Sequence, residues 1–232
     1  MPFDEAWSRV ADVPGWLTRE QGRLLWVSCH EAGPRPRVVE VGSHEGRSTV
    51  LLGLAAKATG GRLTAVDPFD PRWRYGTVGT EQRLRDRLAE EGLTGVVDVV
   101  VARSQDVRRS WAHDLDLVYV DGGHDYPTVR DDLRWAAHLR SGHRLLLHDA
   151  FSSVGVTLGL LLHVLPGQRL AYEGRTGSLA VLVRRRPTLG DRVRLLAPLP
   201  WFARNVLVKV LLRARLHPAA RLLGHDDTAD PY

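Results

Sequence analysis

Short apolar runs alternate with longer amphipathic segments through the middle of this 232-residue chain, and this alternation constrains the fold more than any other feature. The apolar runs occupy residues 37–41, 62–66, 96–101, 116–120, 144–147 and 178–183, and helical spacing fits residues 48–58, 80–91, 128–139 and 154–165. Strands that alternate with helices of about ten residues predict βαβ units and a parallel sheet. We therefore expect an α/β fold, a Rossmann-like, doubly wound, mainly parallel sheet with helices on both faces.

The two ends of the chain depart from this central pattern. Residues 3–32 place apolar side chains at loosely helical spacing, which predicts one or two helices that cover an edge of the sheet. Glycine and proline at residues 33–36 interrupt the pattern before the first strand. We expect an N-terminal helical cap at residues 1–34, a sheet domain at 35–186 and a basic helical C-terminal extension at 187–232.

Positive charge is concentrated in that extension. The whole chain has a net charge of +5, whereas residues 184–223 hold ten Lys or Arg and one acidic residue, a net charge of +9. Three aspartates follow near the C-terminus, so the chain before residue 184 is close to neutral. A nucleic-acid enzyme needs a basic face on its catalytic domain, so we expect no nucleic-acid partner.

A basic amphipathic helix is predicted at residues 199–216, and it has two interpretations. In the interpretation that we favour, this helix packs on its own domain or on a second copy of the chain. A homo-oligomer is therefore one of the expected partners. Alternatively, the helix makes peripheral contact with anionic lipid or another partner, a non-enzymatic role.

Composition places the chain among globular proteins, with 44% hydrophobic and 25% charged residues. Its single cysteine, Cys29, excludes an intramolecular disulfide and a zinc site built from cysteines. The first twenty residues hold four acidic side chains and no apolar leader segment, so we expect a cytoplasmic protein.

The residues that follow the first two strands predict a ligand with a ribose. Ligands of such sheets bind at the carboxyl ends of the strands. Gly42 and Gly46 lie in the loop after the first strand, and Asp67 follows the second strand, 25 residues after Gly42. A carboxylate at that spacing can accept hydrogen bonds from ribose hydroxyls. A dinucleotide is disfavoured because His44 stands where its fingerprint needs a second glycine.

Two further strands bring acidic and histidine side chains to the same edge of the sheet. Asp121 and His124 follow the fourth strand, and His148 and Asp149 follow the fifth. Carboxylates and imidazoles together can bind a divalent metal or supply a general base.

These segments resemble the class I S-adenosylmethionine-dependent methyltransferases over residues 35–185. The resemblance lies in the segments 40–49, 66–69 and 120–126 and in the pair His148-Asp149. The chain is most similar to the branch of macrolide-sugar O-methyltransferases and cephalosporin-tailoring relatives. The implied activity is S-adenosylmethionine-dependent methyl transfer to a small hydroxylated metabolite or sugar.

The resemblance implies a role for each residue. Glu40, Gly42 and Ser43 would hold the methionine part of the cofactor, Asp67 the ribose, and Ser104 would lie by the adenine. The full set expected to bind the cofactor comprises Glu40, Gly42, Ser43, Gly46, Asp67, Ser104 and Asp121. Asp121, His148 and Asp149 would bind the metal, and His124 with Asp121 would be the catalytic groups, His124 as the base.

Several alternatives stay open. The implied metal is magnesium, but His148 stands where the family has an acid, so a softer divalent metal or a metal-independent methyltransferase is also considered. An NAD(P)-dependent oxidoreductase is the alternative with the same fold. The acceptor is expected to be a small molecule.

Overall fold

A seven-stranded sheet forms the centre of the computed structural model, which describes residues 1–72 and 78–224. The strands are β1 (Arg37–Val41), β2 (Arg62–Asp67), β3 (Val97–Val101), β4 (Leu115–Val120), β5 (Leu139–Leu147), β6 (Leu170–Thr176) and β7 (Leu179–Arg184). Their spatial order is β3-β2-β1-β4-β5-β7-β6. The first five strands are parallel, and β7 is antiparallel to both β5 and β6. This topology confirms the predicted Rossmann-like, mainly parallel sheet.

Helices cover both faces of the sheet. They are α1 (Phe3–Ser8), α2 (Arg19–Glu31), α3 (Arg47–Thr59), α4 (Thr80–Glu90), α5 (Ser104–Ser110), α6 (Tyr126–Asp132), α7 (Val154–Gly159), α8 (Leu189–Leu196), α9 (Leu199–Arg213) and α10 (His217–Leu222). A 3₁₀ segment, Leu133–Ala137, continues α6, and a π segment, Leu160–Val164, continues α7.

Strand β4 shows why the sheet is covered on both sides. All six of its residues are buried; Leu117 and Tyr119 belong to the core on one face, and Val118 and Val120 to the core on the other. Successive side chains of a strand point to opposite faces, so a strand whose apolar side chains alternate between two cores needs a helical layer on each side.

Helix α2 lies on a face of the sheet, whereas the sequence predicted that the N-terminal helices cover an edge. Helix α2 packs against α3 and touches the central strand β4, and Leu25 and Cys29 share one core with Tyr119. Burial raises the pKa of the Cys29 thiol to about 12, which keeps this side chain protonated and unreactive. A capping box between Thr18 and Gln21 fixes the start of α2.

Several elements were missed by the sequence prediction or differ from it in their bounds. Strand β6 carries Glu173, Gly174 and Arg175 and buries only its first three residues, so it lacks the apolar signal of the inner strands. Strand β5 begins at Leu139, before the apolar run at residues 144–147. Helix α5, which packs on β2 and α6, is short and has no buried residue.

The C-terminal extension forms the three helices α8, α9 and α10. Leu189–Arg213 is the one stretch of the described chain with the length and apolar composition of a membrane span. A turn at residues 197–198 divides it between two helices, and α8 packs on β6. The domain boundaries after residues 34 and 186 and the cytoplasmic location stay predictions.

Candidate active site

A cavity of about 1470 Å³ lies over the carboxyl ends of the parallel strands. Loops after β1, β2, β4 and β5 line it, together with residues 14–18 and part of α9. The predicted site residues on its wall are Gly42, Ser43, Asp67, Ser104, Asp121, His124, His148 and Asp149. Glu40 and Gly46 do not line it. Most of the predicted site therefore surrounds one space large enough for a cofactor and an acceptor.

Gly42 occupies a position that only glycine fits. Its φ is +87°, and a Cβ there would lie 2.2 Å from the carbonyl oxygen of Asp121. Gly46 has a φ of +96° and precedes α3, where a Cβ would lie 2.5 Å from Leu84 Cδ1. Gly42 thus lets the β1 loop approach the β4 loop, and Gly46 lets α3 begin. The cofactor contact of Gly46 stays a prediction.

Glu40 lies behind the cavity wall and is fully buried. Its Oε2 accepts hydrogen bonds from Ser43 Oγ at 3.1 Å and from Thr49 Oγ1 at 2.5 Å, while Oε1 has no partner. Burial, opposed by the hydroxyl groups, raises the pKa of Glu40 to about 7. In this structure Glu40 therefore ties the β1 loop to α3, and its contact with the methionine part of a cofactor stays a prediction.

Asp67 ends β2 and organises the two loops beside it. Its Oδ2 accepts hydrogen bonds from the backbone N–H groups of Ser43 at 2.8 Å and His44 at 3.0 Å, and Oδ1 accepts from Phe69 N–H at 2.7 Å. A carboxylate has about four acceptor sites, so Asp67 keeps capacity for a further donor such as a ribose hydroxyl.

Ser104 lines the cavity as the first residue of α5 and does not cap that helix. Its hydroxyl donates to Asp132 Oδ1 at 2.6 Å and accepts from Trp135 Nε1 at 2.8 Å. Burial raises the pKa of Asp132 to about 6, and its buried Oδ2 has no partner. Asp132 was not singled out from the sequence, because an acid inside a helix carries no motif.

Asp121, His148 and Asp149 converge from the ends of β4 and β5, and one ligand atom of each lies within 4.8 Å of the others. His148 Nδ1 is 3.2 Å from Asp121 Oδ1 and 3.3 Å from Asp149 Oδ2. This nitrogen is buried and is not oriented for a hydrogen bond to either oxygen. Burial alone would lower the pKa of His148, but the two carboxylates raise it to about 10. The arrangement favours a positive charge among the three groups, either a proton or a metal ion.

His124 stands beside this cluster on the cavity wall. Its Nε2 lies 2.9 Å from Asp149 Oδ2 and 4.0 Å from Asp121 Oδ1. Burial alone would lower the pKa of His124, but the hydrogen bond to Asp149 raises it above its ordinary value of 6.5. The side chain of His124 is 38% exposed and that of His148 4%, so His124 is the imidazole that a molecule in the cavity can reach.

Gln21 was not identified from the sequence, although it contacts the same cluster. Its Oε1 lies 3.3 Å from His148 Nε2 and accepts a hydrogen bond from Thr18 N–H, and its amide donates to Ser178 Oγ at 3.1 Å. Because Oε1 is an acceptor, it favours a proton on His148 Nε2, which leaves the Nδ1 lone pair facing the carboxylates. The only sequence signal at Gln21 is its capping box with Thr18.

Helix α9 also contributes to the cavity, which the sequence did not predict. Val206, Lys209 and Val210 line it, and Lys209 Nζ donates to the carbonyl oxygen of Ser152 at 2.9 Å, next to the Asp149 turn. The extension therefore forms part of the wall near the predicted metal cluster, the place where an acceptor would enter.

Comparison with known proteins relates this sheet domain to methyltransferases. A family model described as a methyltransferase domain matches residues 39–150. The chain is similar in structure to the O-methyltransferase TomG of Streptomyces achromogenes, solved with S-adenosylmethionine, with a TM-score of 0.56 and 20% identity over 79% of this chain and 89% of that one.

Two further solved structures have the same fold. A Podospora anserina methyltransferase bound to S-adenosylhomocysteine has a TM-score of 0.61 and 14% identity, over 80% of this chain and 89% of that one. An O-methyltransferase of Bacillus cereus, also bound to S-adenosylhomocysteine, has a TM-score of 0.57 and 18% identity, over 79% and 93%. The chain thus has the fold of the class I S-adenosylmethionine-dependent methyltransferases, and its residues 39–150 match the model of a methyltransferase-domain family.

Proposed function

We propose that this chain transfers the methyl group of S-adenosylmethionine to a hydroxyl group of a small molecule, and that a divalent metal bound by Asp121, His148 and Asp149 assists. The observation that carries the metal is the convergence of the buried His148 Nδ1 with one carboxylate oxygen each of Asp121 and Asp149, at 3.2 and 3.3 Å. The transfer to oxygen is supported by the O-methyltransferases from Streptomyces achromogenes and Bacillus cereus that share this fold.

The cofactor would occupy the end of the cavity near β1, β2 and β3. Gly42 and Ser43 provide a close approach of the backbone, Asp67 accepts from the ribose hydroxyls, and Ser104 lies at the adenine end. The sulfonium methyl group would then point towards Asp121 and the acceptor side of the cavity, where α9 forms the wall.

The residues on that side suit the chemistry of methyl transfer to a hydroxyl. A divalent metal at the cluster, when bound, lowers the pKa of a coordinated hydroxyl. His124 accepts the hydroxyl proton, and the Asp149 carboxylate stabilises the resulting imidazolium. An oxygen–carbon bond forms as the carbon–sulfur bond breaks, which yields the methyl ether and S-adenosylhomocysteine. The sulfonium is a strong electrophile, so no covalent intermediate with the protein is needed.

The metal-independent methyltransferase remains the second candidate, and the same cluster supports it. The carboxylates of Asp121 and Asp149 raise the pKa of His148 to about 10, so a proton on Nδ1 can supply the positive charge without a metal. Magnesium and manganese suit the carboxylates, whereas the imidazole favours iron, nickel, copper or zinc. The macrolide-sugar branch, a homo-oligomer and the absence of a nucleic-acid partner stay predictions.

Labelled S-adenosylmethionine, incubated with the protein and a panel of hydroxylated metabolites and sugars, tests the reaction. Methyl transfer that disappears with a chelator and returns with magnesium or manganese supports the metal. Full activity after exhaustive chelation would select the metal-independent alternative.

Calorimetry tests the cofactor separately from the acceptor. We expect binding of S-adenosylhomocysteine and none of NAD; the opposite result would select the oxidoreductase. Asp149→Asn should still bind S-adenosylhomocysteine but lose its response to metal, and Asp98→Asn, at an exposed position of β3, is the matched control.

A further inference from the structure

Helices α8 and α9 each expose an apolar side to solvent. On α8, Leu189, Val193 and Leu196 are 78%, 60% and 41% exposed, and on α9 Leu207 and Val210 are 47% and 55% exposed. The spacing of three or four residues places each set along one side of its helix. We call these five residues the C-terminal apolar face.

The fold does not need this face for its own core. The opposite sides of the two helices already pack on the domain: Leu195 and Val208 are buried, and Trp201 and Phe202 pack against one of the two cores. Each helix therefore buries one apolar side and exposes a second one. Packing on the domain accounts for the buried side only.

The charge of the surrounding segment indicates what the face contacts. Residues 184–223 carry a net charge of +9, and the exposed side chains among them include Arg186, Arg213 and Arg215. Apolar side chains flanked by arginine match the interface of a bilayer, where acyl chains lie beneath anionic headgroups. We propose that the C-terminal apolar face docks on an anionic lipid bilayer.

The geometry argues against two other uses of this segment. A membrane-spanning helix needs about 30 Å of apolar length, and α9 has 15 residues, or about 22 Å. Docking parallel to the surface fits the two short helices, because each keeps its inner side on the domain. A second copy seated on this face would bring two segments of charge +9 together, which Coulomb repulsion opposes.

The face reaches the opening of the cavity. Val210 on α9 and Val154 at the start of α7 both line the cavity, and both are 55% exposed. Leu158 and Leu162 extend the exposed apolar side of α7 and its π segment at 39% and 53%. Docking therefore places the opening at the lipid interface. If the proposed function holds, the acceptor class that fits is a hydroxylated molecule with an apolar tail.

Co-sedimentation with vesicles tests the docking without any assay of methyl transfer, so its failure is distinct from failure of the proposed function. The full chain is mixed with vesicles of phosphatidylcholine alone or with about 30% phosphatidylglycerol, a fraction chosen to give an anionic surface. We expect binding only to the anionic vesicles and release by high salt, which screens the attraction.

Amino-acid substitutions identify which surface of the protein binds the vesicles. Arg215→Glu should reduce binding about tenfold or more, since each charge near an anionic surface contributes about fivefold in affinity and this substitution changes the charge by two units. The double variant Val193→Gln with Leu207→Gln should also reduce binding at least about fivefold. Arg62→Glu and Val27→Gln change exposed residues on β2 and α2 and are the matched controls. Circular dichroism and thermal unfolding verify that every variant is folded.

The proposal is overturned if the wild-type chain fails to sediment with anionic vesicles, if it binds neutral vesicles equally, or if the controls weaken binding as much as the variants. A dimer in analytical ultracentrifugation that Leu207→Gln dissociates, with no vesicle binding, would overturn it in favour of a second copy.

Discussion

Replacing Glu40 by glutamine should make the stability of this protein less sensitive to a rise in pH from acidic to neutral values. The carboxyl is fully buried, with one oxygen bonded to two hydroxyls and the other without a partner. Its pKa is raised from an ordinary value of 4.5 to about 7. As the pH rises above 4.5, the unfolded chain ionises at this position while the folded chain keeps its proton, so folding stability falls until about pH 7 and stays reduced above it.

The magnitude follows from the two pKa values. Linkage gives a loss of wild-type unfolding free energy of about 2.5 kcal/mol between pH 5 and pH 9 from Glu40 alone. Glutamine keeps the shape and an acceptor for Ser43 and Thr49 but has no charge to bury. The free energy of unfolding of Glu40→Gln relative to wild type should therefore increase by about 2.5 kcal/mol over this range.

Urea unfolding at several pH values, followed by the fluorescence of the seven tryptophans, measures this difference. Glu20→Gln, an exposed position in the first turn of α2, controls for loss of a carboxylate that folding leaves in water. If the wild-type and Glu40→Gln curves run parallel from pH 5 to pH 9, the folded state does not penalise the ionised carboxylate and the reasoning fails.

Four further predictions address the site. Asp67→Asn should weaken S-adenosylhomocysteine binding by about 1–3 kcal/mol in calorimetry, through loss of charge-assisted hydrogen bonds; an affinity equal to that of the control Asp98→Asn would remove Asp67 from the cofactor site. His124→Ala should lower turnover ~10²–10⁴-fold with cofactor affinity nearly unchanged, and a folded variant with full turnover would exclude it as the base. Gln21→Leu should weaken binding of manganese about 10–100-fold in calorimetry, because the imidazole ligand loses its orienting acceptor; unchanged affinity would argue against that role. Gly42→Ala should lower the unfolding free energy by at least about 2 kcal/mol, since its φ is +87° and a Cβ would lie 2.2 Å from a backbone oxygen; a thermal midpoint like that of wild type would contradict this clash.

Local patterns predicted the elements that the sheet buries and left out those at its margin. The inner strands β1 and β4 and the last residues of β5 are mostly apolar because both faces of the sheet are covered, and this signal is visible without a structure. Strand β6 is an edge strand with polar residues, so it needs β7 beside it to be recognised. The carboxyl ends of parallel strands meet at one edge, which is why the glycine loop, Asp67 and the Asp121 cluster could be grouped from the sequence.

What the sequence alone determined, then, is the alternation of the inner strands with helices, the edge where the site forms, and the acidic and histidine side chains after β4 and β5. Only the tertiary structure decided the distances and the partners. Gln21 meets His148 although 127 residues separate them, and Lys209 of α9 reaches the Asp149 turn, because separate helices pack against the same sheet. The tertiary structure also decided that Glu40 is buried behind the cavity and does not line it. The exposure of a side chain depends on everything packed around it, and no local sequence pattern reports it.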